Sequence, residues 1–123
     1  SAARKMVHHL IPLLLVLHFV GDFLFQTRWM AQGKAKGGFP LHAHVGVYAL
    51  VLFLGLYWII PNGWAVVMYV VANWFLHLIT DSQTSRLAGW CHSRGYVGAF
   101  WKVIGVDQLI HGLCLYYTAV LLK

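Results

Sequence analysis

The sequence contains very few acidic side chains. Its 123 residues include three Asp and no Glu against nine Lys and Arg, and charged residues of both signs make up only 10% of the chain. Hydrophobic residues make up 60%, and the mean hydropathy is +0.69. A soluble domain of this size has too little interior to bury so much apolar surface. The composition therefore excludes an ordinary soluble domain and predicts an integral membrane protein.

Two further shortages exclude other classes of protein. Cys91 and Cys114 form no Cys-x-x-Cys pair, which excludes a zinc knuckle or a dithiol redox site. The formal charge of +6 comes from basic residues dispersed at the ends of apolar segments, so we expect no nucleic-acid partner. Because no small-residue cleavage site follows the first apolar run, we interpret that run as a retained membrane helix and not a signal peptide.

Four apolar segments have about the twenty residues that a bilayer requires. They cover approximately residues 7–30, 42–60, 64–86 and 99–121. We expect polar loops at 32–40 and from Gly89 to Gly98, and a tight turn at Pro61-Asn62-Gly63. The sequence thus predicts one all-α domain over residues 1–123, an integral membrane four-helix bundle.

The basic residues predict how this bundle is oriented. The side with the two polar loops holds six of them, namely Arg28, Lys34, Lys36, Arg86, Arg94 and Lys102. The side with both termini holds three, namely Arg4, Lys5 and Lys123. The positive-inside rule therefore predicts that the loops are cytoplasmic and that both termini lie on the opposite side.

Every acidic residue lies four positions from a histidine. The three pairs are His18 with Asp22, His77 with Asp81, and Asp107 with His111. Residues four apart lie on one face of a helix, so each pair can aim an imidazole and a carboxylate at a common point. Imidazole and carboxylate groups are ligands for Zn, Mn and Fe.

The predicted topology brings these pairs to one level of the bundle. At about 1.5 Å per helical residue, the three pairs and His44 of the second span lie between about 5 and 16 Å from the cytoplasmic surface. A charged residue in a span costs roughly 2.5 to 3.5 kcal/mol, and no Lys or Arg lies deep enough to pair with Asp22 or Asp107. We therefore expect one or two divalent ions bound by seven residues, namely His18, Asp22, His44, His77, Asp81, Asp107 and His111.

Other polar residues are weaker candidates for a role in this site. Gln26 and Gln108 are candidates for hydrogen bonds to the metal ligands, and equally for hydrogen bonds between helices. Ser85 and Arg86, with Thr84, are candidates for contact with an anionic substrate, although a polar helix end has the same composition. The remaining histidines are expected at exposed or interfacial positions, namely His8, His9 and His92; His42 is an alternative to His44.

These motifs together resemble the small bacterial and phage membrane proteins of the family called domain of unknown function 3307. The resemblance covers about residues 14–115. It rests on His18-Phe-Val-Gly-Asp22-Phe-Leu-Phe-Gln26, Trp29, His44-Val-x-x-Tyr48, His77-x-x-x-Asp81-x-x-x-Ser85-Arg86 and Asp107-Gln108-x-x-His111. It implies a bacterial inner-membrane location and selects His44 over His42. One departure is Thr84, which stands where the family pattern usually has Lys.

Two functions remain open at this point. One is a metal-dependent membrane hydrolase, to which the arrangement is loosely similar, acting on a lipid or phosphoester with a metal-bound water as nucleophile. Because no Glu is present, a ligand among Asp22, Asp81 and Asp107 would also act as the base. The other is a non-enzymatic subunit of a homo-oligomer or larger membrane complex, with structural His and Asp pairs. A haem-binding bundle or a di-iron oxygenase is a further alternative.

Overall fold

The computed structural model describes residues 2–121, so Lys123, used above for the orientation, lies outside the described residues. The structure is 89% helical, and the described residues contain no strand. Its helices are α1 (Ala2–Phe19), α2 (Arg28–Gly33), α3 (Phe39–Tyr57), α4 (Gly63–Ser93) and α5 (Val97–Leu121). A π-helical turn, Val20–Leu24, continues α1, and a 3-10 turn, Lys34–Lys36, follows α2. The predicted all-α class is confirmed.

The first predicted span, residues 7–30, is not one continuous helix. The chain bends by 81° between the end of the π turn at Leu24 and the start of α2 at Arg28. The Thr27 side chain caps α2 by accepting a hydrogen bond from the Met30 backbone N–H at 3.2 Å. Most of the expected loop at 32–40 is helical, and only Gly37 and Gly38 lie outside a helix. We call residues 25–38 the bent segment.

The third span is longer than predicted at its C-terminal end. Of the expected turn, Pro61 and Asn62 precede α4 and Gly63 is its first residue; the Asn62 side chain caps the helix by accepting hydrogen bonds from the Trp64 and Ala65 backbone N–H groups. However, α4 continues through Arg86 and Gly89, where we expected a loop, and ends at Ser93. The extension buries Ala88 and Cys91. Burial outweighs the roughly 1 kcal/mol that a helical glycine costs.

Three helices, α3, α4 and α5, are long and apolar enough to cross a membrane. The bent pair formed by His8–Leu24 and Arg28–Lys36 would count as a fourth span if it crosses as one unit. Many large apolar side chains point outward from these helices, among them Leu15, Phe75 and Leu109, each more than half exposed.

The interior is divided into two parts along the helices. One part, the apolar half, is a cluster of buried apolar side chains: Leu14, Tyr48, Leu52, Leu56, Val66, Tyr69, Val70 and Leu115. The other, the polar centre, contains the seven predicted metal ligands. Along α4, apolar Val66 and Val70 come before polar His77 and Asp81. Along α3 the order is reversed, and polar His44 comes before apolar Leu52. The two parts therefore form separate layers.

Candidate metal centre

The structure brings all seven predicted ligand residues together in one buried site. None of them is more than 9% exposed, and His44 and Asp81 are fully buried. Three groups within this site could each hold a metal ion. They consist of Asp22, His44, His77 and Asp81; of His18, Asp22 and His111; and of Asp81, Asp107 and His111.

The π turn positions the first acidic ligand. It carries Asp22 and packs against α3 at Gly21, where an added Cβ would lie 3.1 Å from Tyr48 Cδ2 and 3.3 Å from Tyr48 Cα. A side chain at position 21 would require α3 to move by a few tenths of an ångström, so glycine favours this close approach. This approach places Asp22 Oδ1 2.9 Å from His44 Nε2 of α3. Single π turns inside helices often occur at functional sites.

The first group is the most compact. His44 Nε2 lies 2.9 Å from Asp22 Oδ1, 3.0 Å from Asp81 Oδ2 and 3.2 Å from His77 Nε2. His77 Nε2 lies 3.4 Å from Asp22 Oδ1 and 3.2 Å from Asp81 Oδ2. Each neutral imidazole carries one N–H, so it can donate to only one of these neighbours. Hydrogen bonding alone therefore does not account for the mutual approach of these atoms.

These separations fit a tetrahedral metal ion. Nitrogen and oxygen ligands about 2.0–2.2 Å from such an ion lie about 3.3–3.6 Å from one another. One of the observed distances, 3.4 Å, lies in that range, and the other four, 2.9–3.2 Å, are shorter, so a bound ion would hold these atoms slightly farther apart. Two nitrogens and two carboxylate oxygens, converging from three separate elements, are thus suited to Zn, Mn or Fe.

The second oxygens of two carboxylates face the other groups. Asp22 Oδ2 lies 3.6 Å from His18 Nε2 and 3.9 Å from His111 Nδ1. Asp81 Oδ1 lies 3.6 Å from His111 Nε2, and Asp107 Oδ2 lies 3.3 Å from His111 Nδ1. Asp22 and Asp81 therefore offer one oxygen to the first group and one to a neighbouring group, as carboxylates that bridge two metal ions do.

Several buried polar atoms in the centre have no hydrogen-bond partner among the described residues. They are His44 Nδ1, His77 Nδ1, Asp81 Oδ1 and both ring nitrogens of His111. Leaving a buried polar group unpaired costs roughly 1 to 3 kcal/mol. An ion between Asp81 Oδ1 and His111 Nε2 would satisfy two of these atoms. The residues present therefore fit a metal ion.

Aromatic contacts fix the orientation of the His77 ring. It stacks on the His111 ring with centroids 3.9 Å apart and planes 11° apart. On its other side the Tyr48 ring lies 4.1 Å away, centroid to centroid. With His44 Nε2 also only 3.2 Å from His77 Nε2, no porphyrin plane can lie between these rings.

Gln108 and Tyr48 belong to none of the three groups, but each makes hydrogen bonds to candidate ligands. The Gln108 amide donates to Asp22 Oδ2 at 2.8 Å and to Asp107 Oδ2 at 3.1 Å, while its Oε1 is 2.7 Å from His18 Nε2. The Tyr48 hydroxyl is 2.9 Å from His18 Nδ1. Groups around a metal site usually make hydrogen bonds of this kind, which fix the orientation of the ligand rings and carboxylates. Tyr48 entered the sequence analysis only through the family resemblance.

The other predicted polar residues behave differently. Gln26 makes no side-chain hydrogen bond among the described residues, and its Oε1 is buried without a partner. Ser85 is buried and donates to the Asp81 backbone carbonyl of its own helix. Thr84 donates to Asp107 Oδ1 at 2.5 Å, so it orients a candidate ligand. Arg86 is exposed and lies outside the centre.

The remaining histidines stay outside the centre. His8, His9, His42 and His92 are all exposed. In α3, His44 is fully buried two residues after His42, which supports the choice of His44.

Sequence reasoning missed one charged residue. Lys34, placed in a loop by the sequence, comes from the bent segment and lies with its Nζ 3.4 Å from Asp81 Oδ2. Its side chain is only 18% exposed. No local spacing links residues 34 and 81, so the 81° bend of the chain was needed to reveal this pair.

Residues 10–122 match the sequence model of the family described as Protein of unknown function (DUF3307). The chain belongs to this family, as the resemblance in its motifs predicted. No curated protein and no solved structure matches the chain.

Proposed function

We propose that this member of the DUF3307 family is an integral membrane protein that binds one or two divalent metal ions and hydrolyses a lipid or phosphoester reached from the cytoplasmic leaflet. The observation that carries the proposal is the set of four buried ligand atoms from Asp22, His44, His77 and Asp81, which approach one another to 2.9–3.4 Å. Zn, Mn and Fe suit this ligand set.

The distribution of polarity supports membrane insertion. In α4 the buried positions include Asn73, His77 and Asp81, whereas Val71, Phe75 and Ile79 on the same turns are exposed. A soluble helix has the reverse pattern. An apolar exterior around a polar interior is what a bilayer requires, with α1 and the bent segment completing a four-helix bundle. By the positive-inside rule, residues 34 and 94 would then lie on the cytoplasmic side of the bacterial inner membrane.

The charges of the centre support metal binding. Three carboxylates are buried together, and Lys34 is the one lysine or arginine in contact with any of them among the described residues. One Lys and three Asp leave two negative charges, which a single divalent ion would offset. A second divalent ion would make the centre positive and suited to an anionic substrate.

The three groups differ in the number of ligands that they provide, and this difference indicates different roles. The first group already provides four ligands, which is the closed arrangement of a structural ion. The groups that contain His111 provide three residues each and leave a position for water, as catalytic sites do. Held in such a group, a divalent ion would supply activation of water for hydrolysis near neutral pH. Asp107 accepts hydrogen bonds from Thr84 and Gln108, which orient its carboxylate, and is the candidate general base.

The closed first group also supports a second function. With an ion in that group alone, the protein would be a non-enzymatic membrane subunit whose metal fixes helix packing, inside a homo-oligomer or larger complex. The two functions differ in the number of ions, because only the enzyme needs an ion in the groups that contain His111.

Elemental analysis of the detergent-purified protein tests metal binding. We expect one to two equivalents of Zn, Mn or Fe in the parent protein. Asp81→Asn and His77→Ala should each bind at least one equivalent less. His42→Ala, which removes an exposed histidine from α3, is the matched control and should keep all of the metal. A folded parent protein without any metal after purification and reloading would contradict the proposal.

Turnover of phosphoesters separates the enzyme from the structural subunit. We expect hydrolysis of a phosphate monoester lipid by the metal-loaded protein, loss of that activity after chelation, and loss in His111→Ala with the first group still occupied. One ion, bound equally well by His111→Ala, with no hydrolysis, would favour the structural subunit.

A further inference from the structure

Two basic side chains beside the turn that carries Lys34 have no acidic partner among the described residues. The three Asp are the whole acidic complement of the sequence, and all of them are buried in the centre. Lys34 pairs with Asp81 there, while Lys36 and Arg86 are exposed and make no salt bridge among the described residues. Their charges are thus available to a ligand that carries negative charge.

One turn of the bent segment links these cations. Gly37 closes it, donating its backbone N–H to the Lys34 carbonyl at 3.0 Å, and has φ of 74°, a conformation that favours glycine. A Cβ on Gly37 would lie 3.5 Å from Arg86 Nη2, so the guanidinium of α4 lies against this turn. We call Lys34, Lys36 and Arg86 the basic mouth.

A cavity of about 370 Å³ adjoins the same turn. It is lined by Trp29, Gln32, Gly33, Lys36, Gly38 and Pro40. The Trp29 ring lies 5.5 Å from the Phe39 ring, centroid to centroid, and both side chains are more than half exposed. The cavity thus combines one cationic group with an apolar, aromatic wall, as a site for a phosphate attached to an acyl chain would.

We infer that the basic mouth is a binding site for a phosphoryl group, with Lys34 extending from that group to Asp81 of the metal centre. This inference rests on the proposed function, because it names the anion that the centre would act on. Cationic side chains recognise phosphate by charge-assisted hydrogen bonds, and arginine does so with two parallel donors. Lys34 is a positioning residue here: it belongs to the same turn as Lys36, contacts the ligand carboxylate of Asp81, and would align the phosphoryl group with the metal centre.

Binding of inorganic phosphate to the purified protein tests the site. The variants are Lys34→Met, Lys36→Met and Arg86→Met, and the matched control is Lys102→Met, which removes an exposed charge from α5. We expect Lys34→Met and Arg86→Met each to lower phosphate affinity at least about tenfold, since a charge-assisted hydrogen bond contributes that much. Lys34→Arg keeps the charge and should retain binding, which controls for misfolding of Lys34→Met.

Metal content measured in the same samples separates this inference from the proposed function. Lysine and arginine variants that keep their metal and lose phosphate support the basic mouth. Phosphate affinity that is equal in Arg86→Met and Lys102→Met, or that falls only when the metal is removed, would overturn it. If no variant or parent binds metal but phosphate binding still requires Lys34 and Arg86, the basic mouth stands and the metal proposal fails.

Lipid retention identifies the source of the phosphoryl group. Native mass spectrometry of protein in mixed micelles compares phosphatidic acid, which exposes a phosphate monoester, with zwitterionic phosphatidylcholine. Preferential retention of phosphatidic acid that depends on Arg86 indicates a lipid headgroup. Phosphate binding without lipid preference indicates a soluble phosphoester, and retention of both lipids regardless of Arg86 would argue against the basic mouth as a lipid site.

Discussion

The apolar half and the polar centre both bury polar atoms, but they differ in whether these atoms have hydrogen-bond partners. In the apolar half, the Asn73 amide donates to the Tyr69 carbonyl and to Thr118 Oγ1, and the Tyr69 hydroxyl donates to the Leu115 carbonyl. In the polar centre, five nitrogen and oxygen atoms of His44, His77, Asp81 and His111 have no hydrogen-bond partner among the described residues.

We interpret this difference as one between a region that stabilises the fold and the proposed metal site. Buried polar groups that are fully paired stabilise a unique packing, whereas unpaired ones lower stability by roughly 1 to 3 kcal/mol each. A fold that accepts several such costs in one place gains by them only when a bound group completes the interactions. Four substitutions test this division, and their expected effects decrease in the order given.

Shortening an apolar side chain should affect stability alone. Leu56 is 3% exposed in the apolar half, and Leu56→Ala should lower the free energy of unfolding by about 2 to 5 kcal/mol because it leaves a cavity. Denaturant unfolding in detergent measures this change. Leu54→Ala, a change at a half-exposed position of the same helix, should have an effect below about 0.5 kcal/mol. A folded Leu56→Ala protein that has lost its metal would show that the two regions are not independent.

Removing a carboxylate that belongs to two of the candidate groups should affect metal affinity. The two oxygens of Asp22 face different groups, so Asp22→Asn should weaken binding of the metal by at least about a hundredfold, more than the loss of an outer-shell group causes. Competition with a chelator of known affinity gives the change. Asp107→Asn, which alters one group only, should retain the ion of the first group. Equal affinities of Asp22→Asn and the parent would contradict the bridging role.

Loss of an orienting side chain should have a smaller effect. Gln108→Ala removes the hydrogen bonds to Asp22 Oδ2, Asp107 Oδ2 and His18 Nε2, and should lower metal affinity about tenfold. The same competition assay measures it, with Gln83→Ala at an exposed position of α4 as control. If the two variants bind metal equally well, Gln108 connects helices and does not support the metal site.

Breaking a satisfied hydrogen bond should have the smallest effect. Asn73→Ala should lower the free energy of unfolding by about 1 kcal/mol and leave the metal content unchanged, because the Asn73 side chain bonds only to Tyr69 and Thr118 and to no candidate ligand. Thr118→Val removes the same contact from the other side, and the double variant should be little worse than either single one. Additive losses would mean that the contact between Asn73 and Thr118 contributes nothing by itself.

The sequence predicted most of the ligand set because its signal is local. A histidine and an aspartate four residues apart share one helix face in any helical fold, and for His77 with Asp81 and for Asp107 with His111 the structure has them so. The helix bounds were predicted less well. Gly89 was expected beyond the end of α4, but burial of Ala88 and Cys91 extends the helix to Ser93.

By itself, the sequence determined the helical class, the family and the identity of the paired His and Asp residues. Composition and i,i+4 spacing can both be obtained from the sequence without any knowledge of long-range contacts. The tertiary structure alone decided which atoms meet. It placed Asp22 on a π turn, joined Lys34 to Asp81 across a bend of 81°, and turned both oxygens of Asp22 toward different groups. These contacts join residues far apart in the chain, and their geometry follows from how close Gly21 lets two helices approach, which no spacing in the sequence encodes.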